Sequence, residues 1–427
     1  MNIAKVAIIG SVVLVIVFIF LLYLGVVPGL KVGQDSSPVN LEVWGVFDDS
    51  DAFVPIIEAF QAQNINVSIT YRKKTIEGYE DELVRAFAVG KGPDIFIMKN
   101  TWVPRFRDLL SPVTANIFPI EDFKTRFVDV AQKDFIYRNN IYGIPLYVDT
   151  LALYYNIDLF NSAGLIEPPK YWDEFERYSK LLTRRSSQGD VLVSGAAIGS
   201  GQNVLYSKDI LSLIMMQKGV RLSDSSGKII FDTEPASGLG LEFYTRFSKL
   251  GDSLYSWPQD SVNNSQDMFS LGRVAMMFGY SWTKNNILQK SPRLRFAVAY
   301  MPQIRDSVLK KNYADYWGYG VYVGSGNKEL AWRFLKFLAQ PNNTSFYLSI
   351  TGGAASQKSI LVSQQEKADL EIFANQALTA DSWLQLNDAV IEDVMVETID
   401  QNILSGQSVD TSLTKAATKI NSKILSK

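Results

Sequence analysis

One stretch constrains this chain more than any other: Tyr142-Gly143-Ile144-Pro145-Leu146-Tyr147-Val148-Asp149-Thr150, running on into Leu151-Ala152-Leu153-Tyr154-Tyr155-Asn156. Two apolar, strand-like runs are joined without a Gly- or Asn-rich turn, and polar Asp149 and Thr150 break a run that otherwise belongs in a core. Tyr147 and Asp149 are two residues apart, so on an extended strand both point to the same side. The pattern fits a chain passing between two lobes, with a phenol and a carboxylate aimed at a cleft. A buried strand with a solvated polar break fits the periodicity equally well.

A crossing segment needs two bodies to join, and 427 residues are too many for one ordinary core, so two or three domains are expected. Net charge is −2, with nothing basic enough to argue for a nucleic-acid surface. The chain contains no cysteine and no histidine. That excludes disulfides, thiolate chemistry, Ser-His-Asp and Cys-His catalysis, and His-based metal sites. An enzyme would have to work with carboxylates, Lys, Tyr or an oxygen-ligated metal.

From Val6 to Leu30 there is no charged residue, and Val12 to Leu24 is nearly all aliphatic or aromatic. About 20 such residues suffice to span a bilayer. No Ala-x-Ala cleavage pattern follows, and without cysteine no lipidated anchor can form. The expectation is an uncleaved single-pass anchor over residues 1–30, in the membrane through 6–30, and a stalk over 31–40. Lys5 ahead of the apolar run puts the body on the extracytoplasmic side of the cell membrane.

Beyond the stalk, strand-like and helix-like runs alternate. Leu41–Val46 reads as a strand, and Asp48-Asp49-Ser50 supplies helix-capping residues. Phe53, Ile56, Ile57 and Phe60 follow at helical spacing, with Pro55 tolerable near the first turn. Val67, Ile69 and Tyr71 alternate; Gly92-Pro93-Asp94 precedes the apolar strand Ile95-Phe96-Ile97-Met98. Met268–Phe278, Phe296–Tyr300 and Gly318–Val323 read as further strands, and Glu329–Ala339 as a helix. Such alternation predicts α/β architecture with mainly parallel sheets covered by helices.

In order, the chain presents Leu41-Glu42-Val43-Trp44 with Asp48-Asp49; Gly92-Pro93-Asp94-Ile95-Phe96; Tyr142-Gly143-Ile144-Pro145 through Leu153-Tyr154-Tyr155-Asn156; Pro169-x-x-Trp172-Asp173-Glu174-Phe175; Phe269-x-x-Gly272-Arg273-Val274-Ala275-Met276; and Gly326-Asn327-Lys328-Glu329-Leu330-Ala331-Trp332. In these six pieces, over residues 41–427, it resembles the extracellular solute-binding proteins of ABC importers, the group typified by maltose-binding protein. The resemblance implies a two-lobe periplasmic-binding-protein fold closing around a ligand: a first lobe of 41–149 plus 303–350, and a second of 152–300 plus 355–427. The chain would cross at about Asp149–Ala152 and return at about Met301–Gly318. It implies capture of a carbohydrate for delivery to ABC permease subunits, without cofactor, metal, nucleic acid or chemistry of its own, by a monomer. A polyamine, peptide, metal or oxyanion ligand, a surface glycosidase with paired carboxylates, and an anchored adaptor share the architecture and stay open.

Trp44, Asp48, Asp49, Asn100 and Trp102 fall at the carboxyl ends of expected strands, where open α/β sheets bind ligands. Asp48 and Asp49 match the resembled family's polar first loop, and Asp149 matches its hydroxyl-binding carboxylate, with Tyr147 beside it. Trp102 could stack on a pyranose face. Tyr280 and Trp282 follow the apolar run Val274–Phe278, and Trp317 and Tyr319 lie near the second crossing with Gly318 and Gly320 between and beside them. The competing readings are helix capping for the two aspartates and core packing for the aromatics. Trp172 and Trp332, at helical spacing with other apolar residues, are assigned to the core.

Overall fold

The computed structural model describes residues 38–425 and, ahead of them, Phe18. The expected anchor, Phe18 apart, and residues 31–37 of the expected stalk lie outside the described residues. Among the described residues no helix is long and apolar enough to cross a membrane. The stalk ends earlier than expected: strand β1 (Val39–Gly45) already includes Val39 and Asn40, paired with Val67 and Ser68.

The first sheet is built from β1, β2 (Val67–Lys73), β3 (Ile95–Lys99), β4 (Ile144–Pro145) and β9 (Trp317–Val321), in the order β2-β1-β3-β9-β4. Its first three strands are parallel, and β9 runs antiparallel to both β3 and β4. Ile95–Met98 is buried throughout because helices cover both faces of the central strand. One cover is the helix Val54–Gln63, whose proline falls in the first turn as expected. It packs through Phe60 on Phe334 of the helix Lys328–Leu338, ring centroids 5.2 Å apart. Gly92 is required by close approach: a Cβ there would lie 2.1 Å from the Phe87 ring. Asp94 then fixes the strand entry, accepting from the Glu42 N–H (2.9 Å) and the Ser325 hydroxyl (2.5 Å).

The second sheet corrects the expectation of two mainly parallel sheets. Strand β5 (Ala152–Asn156) lies between β6 (Met276–Gly279) and β7 (Phe296–Ala299), antiparallel to both. The helix Thr283–Lys290 connects β6 to β7, which run alike. The strand arriving from the other lobe inserts between them in the opposite sense. Most of the stretch Met268–Ala275, read as strand, instead completes the helix Ser265–Ser270 and the turn after it.

Among the described residues three segments join the lobes, where sequence suggested two. They align as a ribbon. Leu151 N–H donates to the Tyr313 carbonyl and Asp315 N–H to that of Asp149. β8 (Asn312–Tyr313) pairs in parallel with β10 (Ala380–Asp381). The third crossing follows a stretch that stays with the first sheet. Ala355 bridges to Tyr147 and Gln357 to Phe127, although the sequence reading put residues from 355 onward in the second lobe. Gln376 secures the ribbon: its amide donates to the Thr150 hydroxyl and Leu151 carbonyl (2.9 Å each) and accepts from Met301 N–H (2.7 Å). The helices Asp388–Ser405 and Val409–Leu425 then pack on the second lobe.

Candidate functional site between the lobes

The carboxyl end of β3 delivers Lys99, Asn100, Thr101 and Trp102 to the junction. The Trp102 ring lies over Tyr79 (centroids 6.3 Å, planes 16° apart) and meets Trp317 edge-on at 5.2 Å. These rings form one wall of a cleft of about 420 Å³; Asn387, Val390 and Asp393 from the second lobe face them. Sequence reasoning singled out Trp102 and Trp317, and the fold brings them together. Trp102 is 5 % exposed, yet its indole N–H has no acceptor, and Asn100 Oδ1 and Thr101 Oγ1 are likewise buried without partners. An unpaired buried polar group costs about 1–3 kcal/mol. Other buried atoms without a hydrogen-bond partner are scattered through the described residues, among them those of Ser194, Ser237 and Tyr319; the three here are set apart by being consecutive and beside the cleft.

Next in sequence to several cleft residues, Asp388 and Glu392 belong to a charge network that sequence reasoning missed. Lys99 contacts Asp315 and Asp388, each at 3.3 Å, and so ties β3 to the second lobe. Lys208, 2 % exposed, contacts Asp209 (3.0 Å) and Glu392 (3.3 Å). Burial alone would discharge both lysines, but the facing carboxylates outweigh it and raise their pKa values, Asp315 acting most on Lys99 and Asp209 on Lys208. Burial holds Asp315 above the ordinary carboxylate range, with Lys99 opposing and Asp209 adding to the shift. A signal existed: Lys208-Asp209 opens the helix Ser207–Gln217, every residue of which is buried, and a charged pair at the head of a mostly apolar helix needs partners.

On the hinge side, Asp149 is 4 % exposed and saturated by the chain itself. Its Oδ1 accepts from Thr150 N–H at 2.8 Å; Ser281 N–H bonds both oxygens at 3.2 and 3.1 Å, and the Ser281 hydroxyl bonds Oδ2. Burial pushes its pKa up to about 7, despite the Ser281 and Thr150 hydrogen bonds that lower it. Tyr280 is fully buried and donates to Asp209 Oδ2 at 2.8 Å. Trp282 stacks on Tyr280 (4.7 Å, 19°), donates to the Tyr206 hydroxyl at 3.1 Å, and remains 41 % exposed. Asn100 is anchored through Asp134, which also accepts from Tyr316 (2.7 Å) and from Ser382 of the third crossing. Burial raises Asp134 to about 6, with Ser382, Asn100 and Tyr316 pulling it down.

Trp44, Asp48 and Asp49 have partners within the first lobe, whereas the buried Tyr319 hydroxyl has none among the described residues. Trp44 is buried, donates to Glu42 at 2.7 Å, and lies under the Lys74 ammonium at 3.8 Å. Asp48 accepts from the Tyr347 hydroxyl at 2.5 Å, and burial raises its pKa. Asp49 precedes a 3-10 turn but caps nothing with its side chain; it pairs with Lys73 at 2.8 Å on the surface. Tyr147 is half-buried, and Tyr319 packs edge-on against Phe53 at 5.9 Å. Gly318 and Gly320 make room for core side chains: added Cβ atoms would meet the Phe135 ring at 2.6 Å and Leu110 at 2.8 Å. Trp172 and Trp332 are buried, as expected.

The profile of the family described as "Bacterial extracellular solute-binding protein" matches residues 45–344. A binding protein of Brucella abortus is 24% identical over 359 residues, covering 79% of this chain and 78% of the relative. The maltotriose-binding protein of Pyrococcus abyssi is 25% identical over 300 residues, covering 68% and 60%. Among solved structures, the cyclic alpha-maltosyl-1,6-maltose binding protein of Arthrobacter globiformis superposes with a TM-score of 0.76 at 19% identity, covering 91% of this chain and all of that one. All three carry the names of binding proteins, and the last shares the fold.

Proposed function

This chain belongs to the bacterial extracellular solute-binding protein family, and from that premise we propose that it captures a carbohydrate between its lobes and delivers it to an ABC permease. The observation that carries the reading is the cleft wall at Trp102 and Trp317, with the unpartnered polar atoms of Asn100, Thr101 and Trp102 beside it. A pyranose presents an apolar C–H face to stack on aromatic rings and a rim of hydroxyls to satisfy stranded donors and acceptors. The maltotriose and cyclic tetrasaccharide named for the two relatives are ligands of that chemistry.

In this reading residues 38–148 with 317–377 form one body and 152–311 with 388–425 the other. The ribbon of 149–151, 312–315 and 379–381 is the joint. A ligand touching both walls favours the closed form by its differential affinity for the two states. Trp102, Trp317, Asn100 and Trp282 contact ligand, while Asp149 and Tyr280 set the joint. The protein works as a monomer without cofactor or catalytic step, held by residues 1–30 to the membrane with its body outside. Calorimetry against a panel of oligosaccharides tests the proposal. Binding should be accompanied by a smaller radius of gyration in solution scattering. A panel with no binder, or a binder that leaves the scattering profile of the protein unchanged, would overturn it.

A further inference from the structure

We propose that Lys99 and Asp388 are positioning residues, whose ion pair holds the two walls of the cleft together and so raises ligand affinity without touching the ligand. The inference rests on the reading of this cleft as the ligand site, and it concerns how the lobes close, whichever saccharide is bound. Each partner is tied to one wall. Lys99 is the last residue of β3 and lies opposite Trp317 of β9 in the sheet register. Asp388 stands between Asn387 and Ala389, which line the cleft from the second lobe. Lys99 Nζ is 3.3 Å from Asp388 Oδ2, and the two side chains are only 19 % and 16 % exposed. A change in the spacing of the walls therefore changes the length of this pair.

The pair can break without stranding either charge. Asp315, also 3.3 Å from Lys99, belongs to the ribbon that joins the lobes. Burial disfavours the Lys99 charge, and Asp315 opposes that effect more strongly than Asp388 does. Lys99 thus keeps its stronger partner when the second lobe moves away. Asp388 is the first residue of the helix Asp388–Ser405, where the helix dipole favours a carboxylate with or without a cation beside it. Lys208 differs: its partners Asp209 and Glu392 lie in the second lobe with it, so those pairs move as one body. A contact made only when the walls are close shifts the open–closed equilibrium by its own free energy. Affinity follows, because a ligand held by both walls binds best to the closed form.

The test compares two variants of the full chain. Asp388→Asn removes the charge that crosses between the lobes and leaves Lys99 with Asp315; Asp315→Asn does the reverse. The chain has no cysteine, so Glu77→Cys and Asn286→Cys, exposed positions on opposite lobes, take a single pair of spin labels for distance measurement. Without ligand, Asp388→Asn should lose short distances that the parent populates, and Asp315→Asn should keep them. Calorimetry with the oligosaccharide panel should show Asp388→Asn binding about three- to tenfold more weakly, the size of one partly shielded ion pair. Saturating saccharide should restore the short distances, and melting temperatures check that both variants fold. Unchanged distances in Asp388→Asn overturn the proposal, and so does an equal loss in both variants, which would make the network a brace for the ribbon. An affinity loss with unchanged distances also overturns it, because Asp388 would then act on the ligand directly. If no saccharide binds, the carbohydrate reading falls while the distances still decide whether the pair holds the walls.

Discussion

The two sides of the lobe junction are built from the same residue types and behave oppositely. On the hinge side, Asp149 receives three donor groups from Thr150 and Ser281, and Tyr280 donates to Asp209. At the mouth, Trp102, Asn100 and Thr101 leave buried polar atoms unmet, while Asp81 and Asp393 are exposed to solvent. The polar groups the chain has satisfied at the hinge hold the joint in shape, whereas the wall at the mouth carries three consecutive residues with an unmet polar atom. Residue type alone does not distinguish them, since an aspartate and an aromatic occur on both sides.

The contrast is most open to attack at Lys208, the least exposed charge of the network that joins the lobes. Lys208→Met would leave Asp209 buried without its cation and Glu392 without its partner. Removing one member of a buried pair costs about 3–5 kcal/mol, read as a lower midpoint in urea. A loss below about 1 kcal/mol, the surface-pair scale, would mean the floor is wetter than its burial indicates.

Trp102→Phe comes next. It keeps an aromatic ring in the wall but removes the stranded N–H and part of the stacking surface. Affinity for the best saccharide should fall by about 1–3 kcal/mol, the range of an interface hot spot. Stability should fall by less than affinity, because deleting an unpaired N–H offsets part of the cost of the lost ring volume. The reverse ranking would make Trp102 a packing residue and erase the difference between mouth and hinge.

Ser281→Ala probes the satisfied side. It deletes the hydroxyl that donates to Asp149 Oδ2 while the backbone N–H bonds remain. One such hydrogen bond contributes about 0.5–1.5 kcal/mol, and the loss should appear in stability with the saccharide affinity within a factor of about three. A larger loss in affinity than in stability would place Ser281 and Asp149 against the ligand.

These contrasts show why some of the architecture was legible in the sequence. Asp149 could be found because a carboxylate interrupting an apolar run must be paid for by a partner. Trp102 could be found because it follows an apolar parallel strand. The identity of each partner could not, because Ser281 and Asp149 are distant in sequence, as are Lys208 and Glu392. The antiparallel second sheet was hidden for a related reason: β6 and β7 flank a helix, a spacing that reads as parallel, and nothing local shows β5 inserting between them. The third crossing escaped because β10 is only two residues long.

Asp149→Asn offers the finest test, because its effect is a difference in slope. An unfolded aspartate titrates near about 4, whereas burial holds this one at about 7 in the folded chain. Between those values the folded state binds more protons than the unfolded state, so ionising the buried carboxyl costs stability as pH rises, and the cost levels off above about 7. Asparagine removes the titration. Its oxygen can keep the Thr150 and Ser281 N–H bonds, and its amide can donate to a Ser281 hydroxyl turned to accept. The variant should therefore match the parent near pH 4 and gain on it up to about pH 7, by less than one proton's slope of about 1.4 kcal/mol per pH unit. Paired urea titrations across that range measure it. A constant difference would mean that Asp149 does not titrate in this window. A variant that loses ground as pH rises would mean that the ionised carboxylate is the form that holds the hinge, with Ser281 as an adequate substitute for water.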